Sequence, residues 1–288
     1  MTSDSLAGPA AVGPSPASTA SAGASLPGLP SPWVLSVRAF RCWLLMYRRT
    51  WRSSVWSSVF GPLFYLGAMG YGLGSLVDKN GTAALGGVPY VVFVAPAVLA
   101  VQAMNSGLSN ALFPVYSGIH WNKIYVAART TVLRPVDILR GHLLFITLRI
   151  AMNSGCFVLL MAVFGLIRSP WAVLLLPASV LLGVAFATPS AAWAITLDTQ
   201  TPMNYPIRFG AVPLMLFSGT FFPITQLPGW IRPVAYATPL WHGVALCRAL
   251  SLGDLDAGSV AINVGYLVAM ALSGLWLGNR SFRRRLYV

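Results

Sequence analysis

The chain has 288 residues, of which 56% are hydrophobic and 9% charged, whereas an ordinary soluble domain is roughly half apolar and a quarter charged. Its 19 Lys and Arg outweigh 6 acids, but they are not gathered on a polar domain beside exposed aromatics, so no nucleic-acid partner is expected. All the acids are aspartate, and without Glu there is neither an HExxH metalloprotease site nor a Glu-based acid/base pair. Cys42, Cys156 and Cys247 stand singly in apolar surroundings, a pattern that indicates neither a zinc site nor a disulfide framework. His120, His142 and His242 are far apart and lack acidic neighbours, so no metal is expected.

Residues 1–31 are almost wholly Ala, Pro, Gly, Ser and Thr, too poor in apolar bulk to repay ordering, and read as a disordered cytoplasmic tail. The first basic residue is Arg38, which leaves this segment without the basic n-region of a secretory signal. From Pro32 to Arg52 the character changes. At about 100° per residue, Arg38, Arg41, Arg48, Arg49 and Arg52 fall within an arc of roughly 100°, with Val37, Phe40, Trp43, Leu44, Tyr47 and Trp51 on the other side. This predicts an amphipathic helix lying along the membrane, its basic edge toward anionic headgroups.

Spanning candidates follow, each needing about 20 apolar residues. Residues 55–76 carry no charge and end in Gly70, Gly72 and Gly74, small residues that allow close helix approach. Residues 88–116 form the second span. A polar loop, 117–140, comes next. Residues 141–167 and 171–197, separated only by Arg168-Ser-Pro170, predict a tight hairpin of spans three and four. Residues 207–222 read as a fifth span, after which Pro223, Pro228, Pro233 and Pro239 break an apolar stretch into short re-entrant or interfacial helices. Irregular backbone at membrane depth needs protein or a water-filled cavity around it. The sixth span is 257–278, and a domain of 53–279 therefore precedes a basic tail, 280–288.

Charge orients the bundle. With the N-terminus inside, Arg38–Arg52, the loop from Lys123 to Arg140, and Arg280–Arg285 put most Lys and Arg on the cytoplasmic side. Lys79, Arg168, Arg232 and Arg248 fall outside. Both termini are then cytoplasmic, in a multi-pass protein of the plasma (inner) membrane. The fold class is all-α membrane: six transmembrane helices, an N-terminal amphipathic interfacial helix, and short re-entrant external helices between spans five and six.

Several residues are candidates for function. Arg149 lies within span three, where an ionisable side chain faces a cavity, a partner or the headgroups. Asp198 and Arg208 are placed to pair across the loop between spans four and five. Pro135 sits at a helix-start position, so Arg134–Arg140 predicts a short exposed cytoplasmic helix suited to a groove on another protein. There is no Walker-type phosphate loop, and the only lysines are Lys79 and Lys123, so this chain assembles no nucleotide site. No aspartate lies inside a predicted span, which disfavours proton-driven transport. The pattern points to a partner motor.

Two groups of residues carry a resemblance to a known family. One is Trp121-Asn-Lys-Ile-Tyr125 followed by Leu133-Arg-Pro-Val-Asp-Ile-Leu-Arg-Gly141. The other is Pro213-Leu-Met-Leu-Phe-Ser-Gly-Thr-Phe-Phe-Pro223, followed by Leu227-Pro-Gly-Trp230 and the segment from Pro239 to Leu250. With them, the chain from about Arg38 to Arg285 resembles the permease subunit of ABC-2 type exporters. It is most similar to the group of nodulation lipo-oligosaccharide permeases and, more distantly, daunorubicin-type drug permeases.

The resemblance implies a six-span subunit that dimerises, with a second copy or a related permease, and docks on two copies of an ATP-binding cassette ATPase. ATP and Mg would be bound by that partner, and no cofactor by this chain. It makes Arg134, Pro135, Asp137, Ile138 and Arg140 the coupling helix against the ATPase and places the interfacial helix near the same partner. It also places pathway residues on spans one, two and five, with Phe217, Phe221 and Phe222 near the outer exit. Where the family often has a small polar residue before the coupling proline, this chain has Arg134, and residues 1–31 lie outside the match. The function implied is export of an amphipathic molecule such as a glycolipid, lipo-oligosaccharide or hydrophobic drug. An alternative is a membrane enzyme acting on a lipid-linked substrate, for which Asp254 and Asp256 are the only candidate pair. A second is a non-transporting scaffold.

Overall fold

The computed structural model describes residues 32–48, 56, 60–61, 63–68, 72, 74–79, 87–123, 125 and 135–286. Residues 1–31, Arg49, Arg52, Arg134 and part of the expected first span lie outside these. All regular structure among the described residues is helical. Among the described residues, four helices are long and apolar enough to cross a membrane: Tyr90–His120, Asp137–Val163, Pro170–Thr196 and Ala257–Arg285. We label the elements α1 (Pro32–Tyr47), α2 (Gly74–Lys79), α3 (Tyr90–His120), α4 (Pro135–Val163), α5 (Leu175–Thr196), α6 (Val212–Phe217), α7 (Arg232–Tyr236), α8 (Pro239–Leu252) and α9 (Ala257–Leu286).

α3 is the central helix, buried along most of its length, and is accordingly apolar on every side. α5 packs against it and against α9. The α3–α5 approach is so close that a Cβ built on Gly107 would lie 2.2 Å from the Gly183 carbonyl oxygen, which leaves room only for glycine and explains how two backbones meet here without intervening side chains. α4 and α9 turn large apolar side chains outward, among them Leu159, Val163, Ile262, Leu272 and Trp276, as helices facing lipid do.

The hairpin expected around Arg168–Pro170 is present. Ser169 accepts from the Trp171 N–H and starts a 3₁₀ turn, Pro170–Leu174, that leads into α5. The short helices expected after span five are also present, as a 3₁₀ turn at Ile224–Gln226, then α7 and α8. Thr238 caps α8 by accepting from the Trp241 N–H at 3.3 Å, with Pro239 in the first turn where its missing N–H costs nothing.

Four expectations need correction. The segment 207–222 is not one straight helix. A 3₁₀ turn (Thr201–Asn204), a π-helical stretch (Pro206–Ala211) and α6 succeed one another, and the helix ends at Phe217. Pro206 and Pro213 withdraw N–H donors from the regular ladder, and Gly219 turns the chain at φ 72°. The coupling segment is not a separate helix, because Pro135 starts α4, which continues without a break to Val163. Likewise Arg280, Arg283, Arg284 and Arg285 are the last turns of α9 and not a separate tail. Finally, Asp198 pairs with Arg285, while Arg208 is exposed on the π-helical stretch.

The helix ends sort into two groups. At one end Tyr116 donates to the Asp198 carbonyl, His120 Nε2 lies 3.0 Å from the Leu197 carbonyl oxygen, and Arg285 meets Asp198. At the other, the Arg168 N–H donates to the Ser251 carbonyl and Tyr90 to that of Phe221. Each long helix therefore connects one group to the other, as membrane crossings must.

Candidate functional site

Between α3, α6 and the described residues of the expected first span lies a cavity of about 170 Å³, lined by Gly61, Tyr65, Val98, Val101, Gln102, Asn105, Met215 and Thr220. Its apolar wall is interrupted by polar groups without charge. Gln102 and Asn105 stand one turn apart on α3 and so share a face. The hydroxyls of Tyr65 and Thr220 are buried and meet no hydrogen-bond partner among the described residues, so both can donate to or accept from a molecule in the cavity. Sequence reasoning missed all four, although Gln102 and Asn105 are polar residues in an otherwise uncharged span, a signal that was available.

The expected exit residues separate. Phe221 reaches the cavity wall, its ring centroid 6.3 Å from that of Tyr65. Phe222 packs on a small cluster of Ile224, Leu227 and Ala235, and Phe217 is exposed. Arg149 does not line the cavity. Its guanidinium lies 5.0 Å from the centre of the Tyr47 ring, at the end of α1.

Arg248, expected in an external loop, is folded into the bundle. Its guanidinium sits 3.8 Å from the Phe93 ring centre and donates to the carbonyls of Phe93 at 3.4 Å and Gly219 at 3.1 Å. Burial lowers its pKa to about 10, which still leaves it protonated at neutral pH.

At the opposite end, α1 lies lengthwise on the first half of α4. Ala39 faces Gly141, Trp43 stacks near Phe145 at 6.0 Å, and Tyr47 meets Arg149. This constant sequence offset means that the two helices run side by side in the same direction for two turns. The buried stripe is Leu35, Ser36, Ala39 and Tyr47 with Trp43 partly buried, whereas Val37 and Leu44, also on the side opposite the arginine arc, are exposed. Small residues define the contact because the helices are so close: a Cβ on Gly141 would lie 2.6 Å from that of Ala39. Arg38, Arg41 and Arg48 point away from α4 and are exposed, while Arg49 and Arg52 lie outside the described residues.

Within the coupling segment, Asp137 and Ile138 are 2% and 3% exposed, which corrects the expectation of an exposed helix. Asp137 is in the first turn of α4, where the helix dipole favours a carboxylate. Arg140 is exposed, and Arg134 is outside the described residues. Next to this segment His142 stacks on Trp43 with ring centroids 4.1 Å apart. The buried Tyr125 hydroxyl is hydrogen-bonded to His142 Nδ1, its own pKa pushed well above the usual phenol range by burial. The Tyr125 ring in turn meets Phe282 of α9 edge-on at 5.4 Å. One knot of rings thus joins α1, the loop before α4, α4 and α9.

Asp254 and Asp256 do line a common cavity with Asn263. Asp256, however, accepts from the Ser259 N–H at 2.8 Å, capping α9, and the Ser259 side chain together with that N–H holds its carboxyl below the usual carboxylate range. Among the described residues no group of His, Cys and Asp could hold a metal ion.

A profile of the ABC-2 type transporter family matches residues 33–252, from the start of α1 to the last residue of α8. The chain belongs to this family. It is similar to nodulation protein J of Sinorhizobium fredii, at 28% identity over 255 residues covering 85% of this chain and 94% of the relative. To nodulation protein J of Rhizobium meliloti the identity is 26% over 267 residues, covering 88% and 99%. To that of Neorhizobium galegae it is 22% over 262 residues, covering 91% and 98%. The permease is thus a multi-pass transport subunit and not an enzyme, so the reading of Asp254 and Asp256 as a catalytic pair is set aside.

Proposed function

We propose that this chain is the membrane subunit of an ATP-binding cassette exporter. Two copies, or one copy and a related permease, form the pathway, and two ATPase subunits that bind ATP and Mg drive it. The cargo is amphipathic, a glycolipid, lipo-oligosaccharide or hydrophobic drug. The observation that carries this reading is the cavity beside α3, in which Tyr65, Gln102, Asn105 and Thr220 set hydrogen-bonding groups into an apolar wall. Such a wall suits a molecule with both polar and greasy parts better than an ion, which would require paired charge. Similarity to nodulation protein J relatives supports export of a lipo-oligosaccharide type of molecule.

Six crossings complete the topology, with residues 55–76 as the first and the stretch ending at Phe217 as the fifth. Arg38, Arg41, Arg48, Lys123, Arg140 and the Arg280–Arg285 turns all gather at one end, and positive charge marks the cytoplasmic face. α1 then follows the inner part of α4 instead of lying flat along the membrane as expected, with Trp33, Val37 and Leu44 turned toward lipid. The exposed Arg140, beside the α1–α4 contact, is the group that meets the ATPase. ATP binding shifts the inner-open and outer-open populations to the extent that nucleotide favours one of them.

The test is co-expression with the cassette ATPase encoded in the same genome. The two are expected to purify together, and Arg140→Glu is expected to lower hydrolysis several-fold. A purified chain that captures no cassette ATPase, or that hydrolyses nucleotide alone, overturns the proposal.

A further inference from the structure

The turn from Ser218 to Pro223 closes one end of the cavity. Ser218 and Thr220 are buried, the Thr220 side chain lines the cavity, and Phe221 covers Tyr65. The turn contributes few side-chain anchors of its own, and its backbone is held from behind. Tyr90 of α3 donates to the Phe221 carbonyl at 3.3 Å. Arg248 of α8 donates to the Gly219 carbonyl at 3.1 Å and, with the same guanidinium, to the Phe93 carbonyl of α3 at 3.4 Å. Gly219 is itself in the left-handed region, at φ 72°, a conformation that a neighbouring tether must maintain against the many others open to glycine.

We infer that Arg248 is the positioning residue of an outer gate: by bridging Gly219 and Phe93 it clamps the 218–223 turn shut over the cavity, with Tyr90 as the second tether. Arginine suits this role and lysine does not. A planar fork with several N–H groups reaches two carbonyls at once, whereas an ammonium on a flexible stem is a point donor. The interaction is also reversible. Its acceptors are main-chain carbonyls and not a carboxylate, so opening separates no ion pair and leaves the guanidinium over the Phe93 ring, where a cation remains stabilised. That the cavity is a transport pathway rests on the permease reading above. The clamp itself does not.

The test is thiol accessibility in intact cells. Thr220→Cys is made in the full chain with Cys42 and Cys156 replaced by Ser, the same chain without Thr220→Cys serving as the blank for buried Cys247. A membrane-impermeant maleimide is applied from outside. With Arg248 present, labelling is expected to be slow; Arg248→Gln is expected to raise its rate at least tenfold, Tyr90→Phe by less, and Arg248→Lys to an intermediate value. Gly229→Cys, in an exposed loop with open space around it, is the control and should label equally in every background.

Equal rates for Thr220→Cys with and without Arg248, or fast labelling in the native background, overturn the inference. Labelling only from the cytoplasmic side does so as well. If Arg248→Gln fails to reach the membrane, the Arg248→Lys and Tyr90→Phe rates decide in the same way. Because the readout uses neither transport nor ATP hydrolysis, a missing ATPase partner would defeat the permease reading while leaving this result standing.

Discussion

The two ends of the bundle are built on different principles. At the end rich in arginine, rings pack on rings: Trp43, His142, Tyr125 and Phe282 bring α1, the loop before α4, α4 and α9 into one contact. At the other, a turn is held by two hydrogen bonds to its main-chain carbonyls, from Arg248 and Tyr90, with a third from Arg248 to the Phe93 carbonyl of α3. A packed knot of rings resists relative movement of its parts, since interiors transmit displacement and do not absorb it. A few directional bonds to carbonyls can be exchanged one at a time. The first arrangement suits an end that must pass a push onward as a unit, and the second an end that must open.

The comparison can be broken most severely at Gly141. A side chain here would drive α1 off α4, with Ala39 Cβ at 2.6 Å and the Ser36 carbonyl at 2.9 Å. Gly141→Leu is expected to cost about 3 kcal/mol or more by overpacking. Thermal unfolding in detergent should show the loss, and trypsin should cleave faster at Arg38, Arg41 and Arg48. An unchanged melting point would mean that α1 is not bound to α4 in the way described.

A milder change sharpens the contrast. Tyr125→Phe keeps the ring against Phe282 but removes the hydroxyl bonded to His142 Nδ1, leaving a buried imidazole nitrogen unpaired at a cost of about 1–3 kcal/mol. The melting point should fall while thiol accessibility at the outer turn stays unchanged. If the two ends were one structural unit, both measurements would move together.

The smallest effect is expected at Asp198, whose pair with Arg285 is exposed to solvent. Asp198→Asn should cost at most about 1 kcal/mol, and the difference should vanish in high salt as the charges are screened.

Spans two, three, four and six were legible because a run of apolar residues long enough to cross a bilayer has few other uses. So were the hairpin at Arg168–Pro170 and the short helices after Pro223, because proline and glycine punctuate the chain there. The fifth apolar stretch misled for the same reason: hydropathy does not say where the hydrogen-bond ladder changes period, and only the positions of Pro206, Pro213 and Gly219 hint at it. On α1 the arginine arc was readable, but the buried stripe was not. Ser36 and Ala39 carry little hydropathy and are inside because Gly141 leaves them a place. The expected Asp198–Arg208 pair failed because nearness in sequence stood in for nearness in space, and Arg285 arrives from another helix. The cavity was partly legible. Gln102 and Asn105 are conspicuous in an uncharged span, whereas nothing in the sequence says that Arg248 turns inward onto two carbonyls.

The unbroken length of α4 carries a mechanical consequence. At 1.5 Å per residue, its 29 residues measure about 43 Å, some 13 Å more than the hydrocarbon thickness of roughly 30 Å. Near its middle, Ile150 is wedged against Gly183, about 22 Å from Pro135 and about 20 Å from Val163 on the same rise per residue. That contact is a fulcrum with arms of nearly equal length. A shove of a few ångströms on the protruding arm would swing the far tip a similar distance in the opposite sense, with α1 strapped alongside as a stiffening splint.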